Sequence, residues 1–213
     1  MAKCKHSIEY IRKKNPHVNF TSEVPEQELI HKFVRRGDKV LEFGSNIGRS
    51  TIIAADCAGP KGRVVSFEQD RQIRARAQKN SRNYKNVQIY PAASDKPIYQ
   101  SGTWYTSHKR EKGWPEIEKV PLSTLKGEWD TVIADCEGCF SDIVSEAPFI
   151  LDHARTIILE NDDTDFKRQK NLQNTLSKMG FTTSYCAPHP SGKTSQDEIR
   201  DKCFFQVLSK DIK

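Results

Sequence analysis

Apolar and polar residues follow two different patterns along this chain, and each pattern predicts one kind of secondary-structure element. Short apolar runs predict buried strands at 39–43, 63–68, 87–90, 129–135, 156–160, 181–186 and 203–208. Segments whose apolar residues recur every three or four positions predict helices at 24–36, 48–58, 70–83 and 139–147. Alternating strands and helices are typical of a parallel sheet with helices on both faces. We therefore expect an α/β, Rossmann-like fold with a seven-stranded, mostly parallel sheet.

The length of 213 residues suits one domain with its own core, spanning 1–213. Residues 1–36 form an expected N-terminal helical cap. Residues 95–120 break the alternation, and we interpret them as an insertion on the substrate side, because long irregular segments in compact folds are often functional. Its aromatic and basic side chains suit a sugar or a nucleotide. Alternatively, the aromatic side chains anchor the segment to the body of the domain. The aromatic and basic residues are Tyr99, Trp104, Tyr105, His108, Lys109, Arg110, Lys112 and Trp114.

Composition indicates an intracellular setting. The chain has no apolar run long enough to cross a membrane, and its start lacks the apolar region of a signal peptide. The six cysteines are scattered and suggest no disulfide framework, so we expect a reducing, cytoplasmic location. Cys136 and Cys139 have no second pair at zinc-finger spacing, so we expect neither metal nor redox use of them.

The net charge of +6 is modest and leaves the partner open. Basic residues between 71 and 85 fit the solvated face of a helix, so a nucleic acid partner is not favoured but is not excluded. The pattern indicates no membrane partner and does not predict an oligomeric state.

A glycine-bearing turn follows the strand at 39–43, in the order Glu42-Phe43-Gly44-Ser45-Asn46-Ile47-Gly48, and a helix opens near Ser50. The next strand ends on Glu68, which can accept hydrogen bonds from two ribose hydroxyls. An acid at the first strand end would repel a pyrophosphate but suits a cationic sulfonium. The pattern therefore favours S-adenosylmethionine, the alternative being an ordinary strand-to-helix turn. The predicted contacts are Glu42, Gly44, Asn46 and Ser50 for the methionyl part, Glu68 for the ribose, and Ala93 and Ser94 for the adenine.

Acidic and amide side chains also follow the fourth and fifth strands. Asp135, Glu160 and Asn161 could hold Mg²⁺ or Mn²⁺, which prefer oxygen ligands and would activate a substrate hydroxyl. Asp135 and Glu137 are the candidate catalytic residues. The alternatives are that residues 160–163, with Asp163 or Thr164 as N-cap, begin the following helix, and that Glu137 lies in the first turn of the helix at 139–147.

These motifs, together with Asn80, Pro121-Leu122-Ser123-Thr124-Leu125 and Ile133-Ala134-Asp135-Cys136-Glu137-Gly138, resemble the FkbM-type methyltransferases. The resemblance runs in family order from about residue 40 to 160. It implies a class I S-adenosylmethionine-dependent O-methyltransferase, and it extends the cofactor contacts to Ser45, Gln69 and Asp135.

Asp135 followed by Glu160-Asn161 is similar to the metal ligands of catechol- and caffeoyl-CoA-type O-methyltransferases, and residues 21–27 resemble their cofactor-covering segment. That likeness adds Thr21 and Ser22 to the cofactor contacts. Two departures stand against it: Glu160 replaces an Asp, and the lysine expected after Asp135 is missing.

We therefore expect a divalent-metal-assisted methyltransferase that acts on a hydroxyl of a sugar or glycan. An RNA- or protein-directed methyltransferase is one alternative, although an Asn-Pro-Pro-Tyr-like motif is absent after the fourth strand. A non-catalytic module that binds S-adenosylmethionine is another.

Overall fold

The structure is a computed structural model that describes residues 2–102, 105–189 and 201–211. Trp104 of the predicted insertion and most of the polar segment 188–201 lie outside these residues. The described strands are β1 (Lys39–Phe43), β2 (Arg63–Phe67), β3 (Val87–Tyr90), β4 (Ala92–Ala93), β5 (Tyr99–Ser101), β6 (Tyr105–Ser107), β7 (Lys119–Val120), β8 (Thr131–Ala134), β9 (Thr156–Glu160), β10 (Thr182–Ala187) and β11 (Phe205–Ser209).

Seven of these strands form the central sheet, in the order β10-β11-β9-β8-β1-β2-β3. The five from β3 to β9 are parallel, whereas β11 and β10 are antiparallel to their neighbours. This confirms the predicted seven-stranded, mostly parallel sheet. The order of the strands reverses between β1 and β8, because the chain starts in the middle of the sheet, builds one half and then returns to build the other.

The described α-helices are α1 (Ile8–Lys14), α2 (Val24–Phe33), α3 (Arg49–Ala58), α4 (Arg71–Ser81), α5 (Phe140–Glu146) and α6 (Phe166–Lys178). α2, α3, α4 and α5 overlap the four predicted helices, and each is shorter than predicted. α6 follows residues 160–163, where the sequence allowed a helix to begin. Asp70 caps α4 by accepting from the backbone N–H groups of Gln72 and Ile73. Asp165 caps α6 in the same way, so the predicted caps, Asp163 and Thr164, were wrong.

Two apolar cores cover the two faces of the sheet. Leu41 and Phe43 of β1 face a core completed by α5 and α6, whereas Val40 faces a core completed by α1, α2 and α3. The pleat of β1 therefore decides which core each side chain joins. Basic residues of α4 are mostly exposed, as predicted, but Arg74 is buried and donates to the carbonyl oxygen of Glu68 at 2.9 Å.

Residues 95–120 contain more regular structure than the sequence suggested. β5 and β6 form an antiparallel hairpin, and β7 pairs with β4 in a separate two-stranded parallel sheet. The segment is therefore tied to the body of the domain directly beside the end of β3.

The cysteines correct the sequence analysis. All six are paired, as Cys4–Cys57, Cys136–Cys139 and Cys186–Cys203. The pairing joins positions up to 53 residues apart in sequence, which spacing alone could not reveal. Disulfides persist mainly in oxidising compartments, so cysteine usage no longer supports the predicted reducing location. None of the helices among the described residues has the length and apolar character that a membrane span requires.

Candidate functional site at the carboxyl ends of the parallel strands

A cavity of about 820 Å³ opens where the strand order reverses, beyond the carboxyl ends of β1, β2, β8 and β9. Such a reversal leaves a crevice, because the loops that follow the two central strands lead away to opposite faces of the sheet. Of the predicted cofactor contacts, seven line this cavity: Gly44, Asn46, Glu68, Gln69, Ala93, Ser94 and Asp135. The aromatic residues Phe43 and Phe67, whose side chains are buried in the core, also border it.

The glycine turn is required by the protein's own packing. Gly44 has φ +93°, and a Cβ atom there would lie 1.6 Å from the carbonyl oxygen of Asp135. Gly48, at φ +90°, would place a Cβ atom 3.4 Å from the backbone of Ala77 in α4. At Gly44 the residue after β8 therefore occupies the space that a side chain would need, whereas at Gly48 the contact is an ordinary one and the positive φ is what favours glycine.

Glu68 organises the loops around the cavity. One of its carboxylate oxygens accepts from the backbone N–H of Asn46 and the other from that of Asp70, both at 2.9 Å. Burial raises the pKa of Glu68 to about 7, against the lowering effect of these hydrogen bonds. Each carboxylate oxygen can accept more than one hydrogen bond, so Glu68 keeps the capacity to hold ribose hydroxyls.

Five predicted cofactor contacts do not line the cavity. The pleat of β1 directs Glu42 toward α3, where it accepts from the hydroxyl of Thr51 at 2.6 Å. Ser45 and Ser50 are buried away from the cavity, and Thr21 and Ser22 are exposed outside its wall. The N-terminal helical cap, residues 1–36, reaches the cavity at Glu23 instead. Arg49 holds the carboxylate of Glu23 in an ion pair at 2.7 Å.

Glu23 and Glu26 were missed by the sequence analysis. Glu26 is buried in the first turn of α2, and burial followed by repulsion from Asp135 raises its pKa well above the ordinary value. Two acids at the start of a helix with an apolar face could have drawn attention to them. A buried acid needs a polar partner or a ligand, so these positions were candidates for the site.

Asp135 and Glu160 form a hydrogen-bonded carboxyl pair at the ends of the adjacent strands β8 and β9. Burial and repulsion from Glu160 raise the pKa of Asp135 well above its ordinary value, and burial raises the pKa of Glu160 to about 8. The two carboxyl groups share a proton through this hydrogen bond. Such a pair can exchange a proton with a group in the cavity.

Asn161 does not join this pair. Its side chain is buried on the other side of β9, where its amide donates to the carbonyl oxygen of Cys203 at 2.7 Å and to Gln206 at 3.1 Å. Its amide oxygen accepts from Gln173. The set of Asp135, Glu160 and Asn161 therefore does not fit a divalent metal, because one of the three points away from the other two.

Glu137 stands on the exposed rim of the cavity, three residues before α5 begins. The alternative reading, in which it lies in the first helical turn, was wrong. Asp162 fixes this loop by accepting from the backbone N–H groups of Glu137 and Gly138, and burial raises the pKa of Asp162 to about 6.

The acids of the cavity are complementary to a cation. Asp135 is surrounded by Glu160, Asp162 and Glu23, and their repulsion adds to the effect of burial on its pKa. A positively charged group placed among them would reverse that repulsion. S-adenosylmethionine carries such groups on its sulfur and its amino nitrogen, so the residues present fit its methionyl end, while Glu68 fits its nucleoside end.

The insertion supplies the outer wall of the cavity. Thr106 and Ser107 of β6 and the next two residues, His108 and Lys109, line it. A substrate entering from this side would meet the insertion before it reaches Asp135 and Glu160. The predicted substrate role of residues 95–120 stays a prediction.

Comparisons with known proteins agree with this arrangement in the first half of the chain. Residues 24–97, from α2 to just past β4, match the family profile of Protein-L-isoaspartate(D-aspartate) O-methyltransferase. Protein-L-isoaspartate O-methyltransferase 2 of Archaeoglobus fulgidus is 31% identical over 102 residues, which are 47% of this chain and 46% of that protein. The chain spans less than half the length of the curated relatives it matches.

Solved structures resemble the whole chain. The O-methyltransferase TomG of Streptomyces achromogenes, in complex with S-adenosylmethionine, has a TM-score of 0.58 at 14% identity, over 95% of this chain and 86% of its own. Fibrillarin of Aeropyrum pernix, with natively bound S-adenosylmethionine, has a TM-score of 0.53 at 14% identity, over 87% and 74%. The chain thus has the Rossmann-like fold of class I methyltransferases, whereas the FkbM-type and metal-dependent resemblances stay predictions.

Proposed function

We propose that this chain is an S-adenosylmethionine-dependent methyltransferase that methylates a hydroxyl oxygen. The observation that carries the proposal is the Asp135–Glu160 carboxyl pair, which opens on the same cavity as Glu68 and the glycine turn. A hydroxyl acceptor loses a proton when its oxygen takes the methyl group, and a carboxylate beside it can receive that proton.

S-adenosylmethionine, when bound, supplies a methyl group activated by a positively charged sulfur. The nearby positive charge lowers the pKa of Glu160, so that its carboxylate is available as the proton acceptor at neutral pH. Asp135 positions Glu160 through their hydrogen bond. Alignment of the acceptor oxygen within the cavity supplies a further part of the acceleration.

We further propose that the acceptor is a polyol, such as a sugar. On the acceptor side the cavity is lined by the exposed Glu137, by Asp142 in an ion pair with Arg168, and by Glu146 in an ion pair with Lys96. Carboxylate oxygens accept hydrogen bonds from hydroxyls and the paired cations can donate to hydroxyl oxygens, so this wall suits a group with several hydroxyls. The three acids lie outside residues 24–97, so the family match does not describe them.

Methylation of a protein carboxyl group is the second candidate, because the matched family and the matched relative carry that activity in their names. The two candidates differ in the product. A methyl ester releases methanol in mild alkali, whereas a methyl ether does not.

The test is transfer of a labelled methyl group to a panel of sugars, nucleotide-sugars, an isoaspartyl peptide and a structured RNA, with the alkaline stability of each product measured. We expect an alkali-stable product on a polyol. We expect Glu160→Gln to lower turnover by roughly 100- to 10,000-fold while the affinity for S-adenosylhomocysteine changes little. Glu128→Gln, which alters an exposed carboxylate paired with Lys39, is the matched control.

Each other outcome has a defined meaning. An alkali-labile product on the peptide would replace this proposal with carboxyl methylation, and a labelled RNA would replace it with the RNA-directed alternative. Binding of S-adenosylhomocysteine without transfer to any acceptor would favour a non-catalytic module. No binding at all would exclude the methyltransferase proposal.

A further inference from the structure

Three metal-ligating side chains converge on the side of the domain away from the cavity. Cys4 precedes α1, His31 lies in the last turn of α2, and Cys57 lies in the last turn of α3. One ligand atom of each lies within 4.8 Å of the other two. Within residues 2–102, 105–189 and 201–211, no other group of three Cys, His, Asp or Glu side chains is this close. Three separate segments of the chain therefore meet at one point.

We propose that Cys4, His31 and Cys57 form a zinc-binding site when the Cys4–Cys57 disulfide is reduced. Thiolate sulfur and imidazole nitrogen are the ligands that Zn²⁺ prefers. Three protein ligands leave one position of the tetrahedron for a water molecule. This inference goes beyond the proposed methyl transfer and does not depend on it.

The hydrogen bond of His31 supports its role as a ligand. Its Nε2 atom lies 2.8 Å from the backbone carbonyl oxygen of His6, and a carbonyl can only accept, so Nε2 carries the proton. The neutral ring then has its free lone pair on Nδ1. Metal-binding histidines usually donate their second nitrogen in this way, which fixes the ring orientation.

The surroundings of the two sulfurs also favour metal binding. Cys57 is fully buried and Cys4 and His31 are partly buried, so little rearrangement of solvent accompanies binding. A bound metal would join the N-terminal segment to the ends of α2 and α3. The disulfide joins the N-terminal segment to α3 alone.

Metal binding and the disulfide use the same sulfur atoms, so they exclude each other. A dithiol reductant gives two electrons and two protons to the Cys4–Cys57 bond and itself becomes a disulfide. Zn²⁺ then displaces the two thiol protons to solvent as both sulfurs bind it. An added small-molecule disulfide takes two electrons from the two thiolates and, with two protons from solvent, becomes two thiols, so that the Cys4–Cys57 bond reforms and the metal is released.

The cavity is too far away for the two proposals to be confused. α3 has ten residues and is about 15 Å long, and it begins three residues after Asn46, which lines the cavity, whereas Cys57 lies in its last turn. Metal content and methyl transfer can therefore be measured separately on one sample. A failure of the zinc site leaves the proposed function untouched, and the reverse also holds.

The experiment is a titration of the full, reduced chain with Zn²⁺ against a chromophoric chelator, and with Co²⁺, whose thiolate complexes have a charge-transfer band. We expect one bound metal in the wild type. We expect His31→Ala to weaken binding by at least the roughly 10- to 100-fold seen when supporting contacts of metal ligands are lost. His153→Ala, which changes an exposed histidine outside the cluster, should bind as the wild type does.

Two further measurements decide between this cluster and the Cys136–Cys139 pair. The double variant Cys136→Ser/Cys139→Ser should keep the cobalt band. In the wild type, bound Zn²⁺ should protect Cys4 and Cys57 from alkylation, a readout that needs no variant to fold. Absence of metal binding in the reduced wild type would overturn the proposal. So would unchanged binding by His31→Ala, or loss of the band in the double variant.

Discussion

Both carboxylate oxygens of Glu68 accept a backbone N–H, one from each of the two loops that border the cavity. The side chain therefore fixes the shape of the cavity before any ligand arrives. With its pKa raised to about 7, Glu68 is partly protonated at neutral pH. A protonated carboxyl group accepts fewer hydrogen bonds, so its charge state should govern the affinity for the cofactor.

We predict that the affinity for S-adenosylhomocysteine depends on pH through Glu68. Ribose hydroxyls bind the ionised form of Glu68, so affinity should rise as pH increases through about 7. Ionisation of Glu160, whose pKa is raised to about 8, should extend this rise, because its carboxylate attracts the amino group of the ligand. Glu68→Gln should weaken binding by about 1.5–3 kcal/mol, the usual range for a hydrogen bond to a charged group, and should flatten the rise near pH 7.

Calorimetric titration from pH 5 to 9 measures both effects, with Glu128→Gln as a control that alters an exposed carboxylate. A Glu68→Gln variant with wild-type affinity and an unchanged pH profile would show that this side chain does not hold the cofactor.

Residue type and position along a strand predicted which strand ends carry acidic side chains. They predicted only in part which of those side chains face the cavity. Asp135 and Glu160 were identified because acids that end adjacent parallel strands must lie close together. Glu42 and Asn161 were misplaced for one shared reason. Successive side chains on a strand face opposite sides, so Glu42 points toward α3 and Asn161 points away from Glu160.

At the scale of elements, the turn between β1 and α3 brings the two halves of the site together. Gly44 lies against the carbonyl of Asp135, whose backbone N–H in turn donates to Phe43 at 3.0 Å. The first half of the site carries Glu68 and the second carries the proton-sharing pair. Any change that separates β1 from the end of β8 should therefore affect both cofactor binding and turnover.

We predict that Gly44→Ala destabilises the fold more than Gly37→Ala does. Both glycines have φ near +90°, so each variant carries the cost of a left-handed backbone, about 1–2 kcal/mol. A Cβ atom at position 37 has no heavy atom within 4 Å, whereas at position 44 it collides with the backbone of Asp135. The collision should add about 1–3 kcal/mol, the usual cost of overpacking.

Urea unfolding of the two variants measures the difference, since the backbone cost is common to both. Equal losses of stability would mean that the turn can move away from Asp135 without cost, and that Gly44 serves only its backbone conformation.

The elements themselves were largely predictable because hydrophobic periodicity reports burial directly. The predicted α2 ran to residue 36 but the helix ends at Phe33, since Val34 is already extended. The short strands β5, β6 and β7 within residues 95–120, and β4 just before them, carry too few residues for a periodic signal, so their pairing could not be predicted from the sequence.

At the scale of the whole molecule, the disulfides were the largest surprise, because pairing is a property of the folded chain. Cys4–Cys57 joins the N-terminal segment to α3, and Cys186–Cys203 joins the strands at the edge of the sheet. A cross-link stabilises a protein mainly by restricting the unfolded chain, and the effect grows with the length of the closed loop. The three bonds should therefore differ strongly in their contribution.

We predict that Cys4→Ser lowers the free energy of unfolding far more than removal of the Cys136–Cys139 bond. The first bond closes a loop across 53 residues, for which the chain-entropy relation gives about 4 kcal/mol. The second spans only three residues and restricts the unfolded chain little, so Cys136→Ser/Cys139→Ser should lose well under that amount.

Urea unfolding under non-reducing conditions with a chelator present measures both, since the chelator removes any contribution from bound metal. A dithiol reductant should lower the stability of the wild type and leave Cys4→Ser much less affected. If the reductant leaves the wild type unchanged, the Cys4–Cys57 cross-link does not stabilise the chain, and noncovalent contacts hold the N-terminal segment, among them the packing of Ile8 and Ile11 and the hydrogen bond between His31 and the carbonyl oxygen of His6.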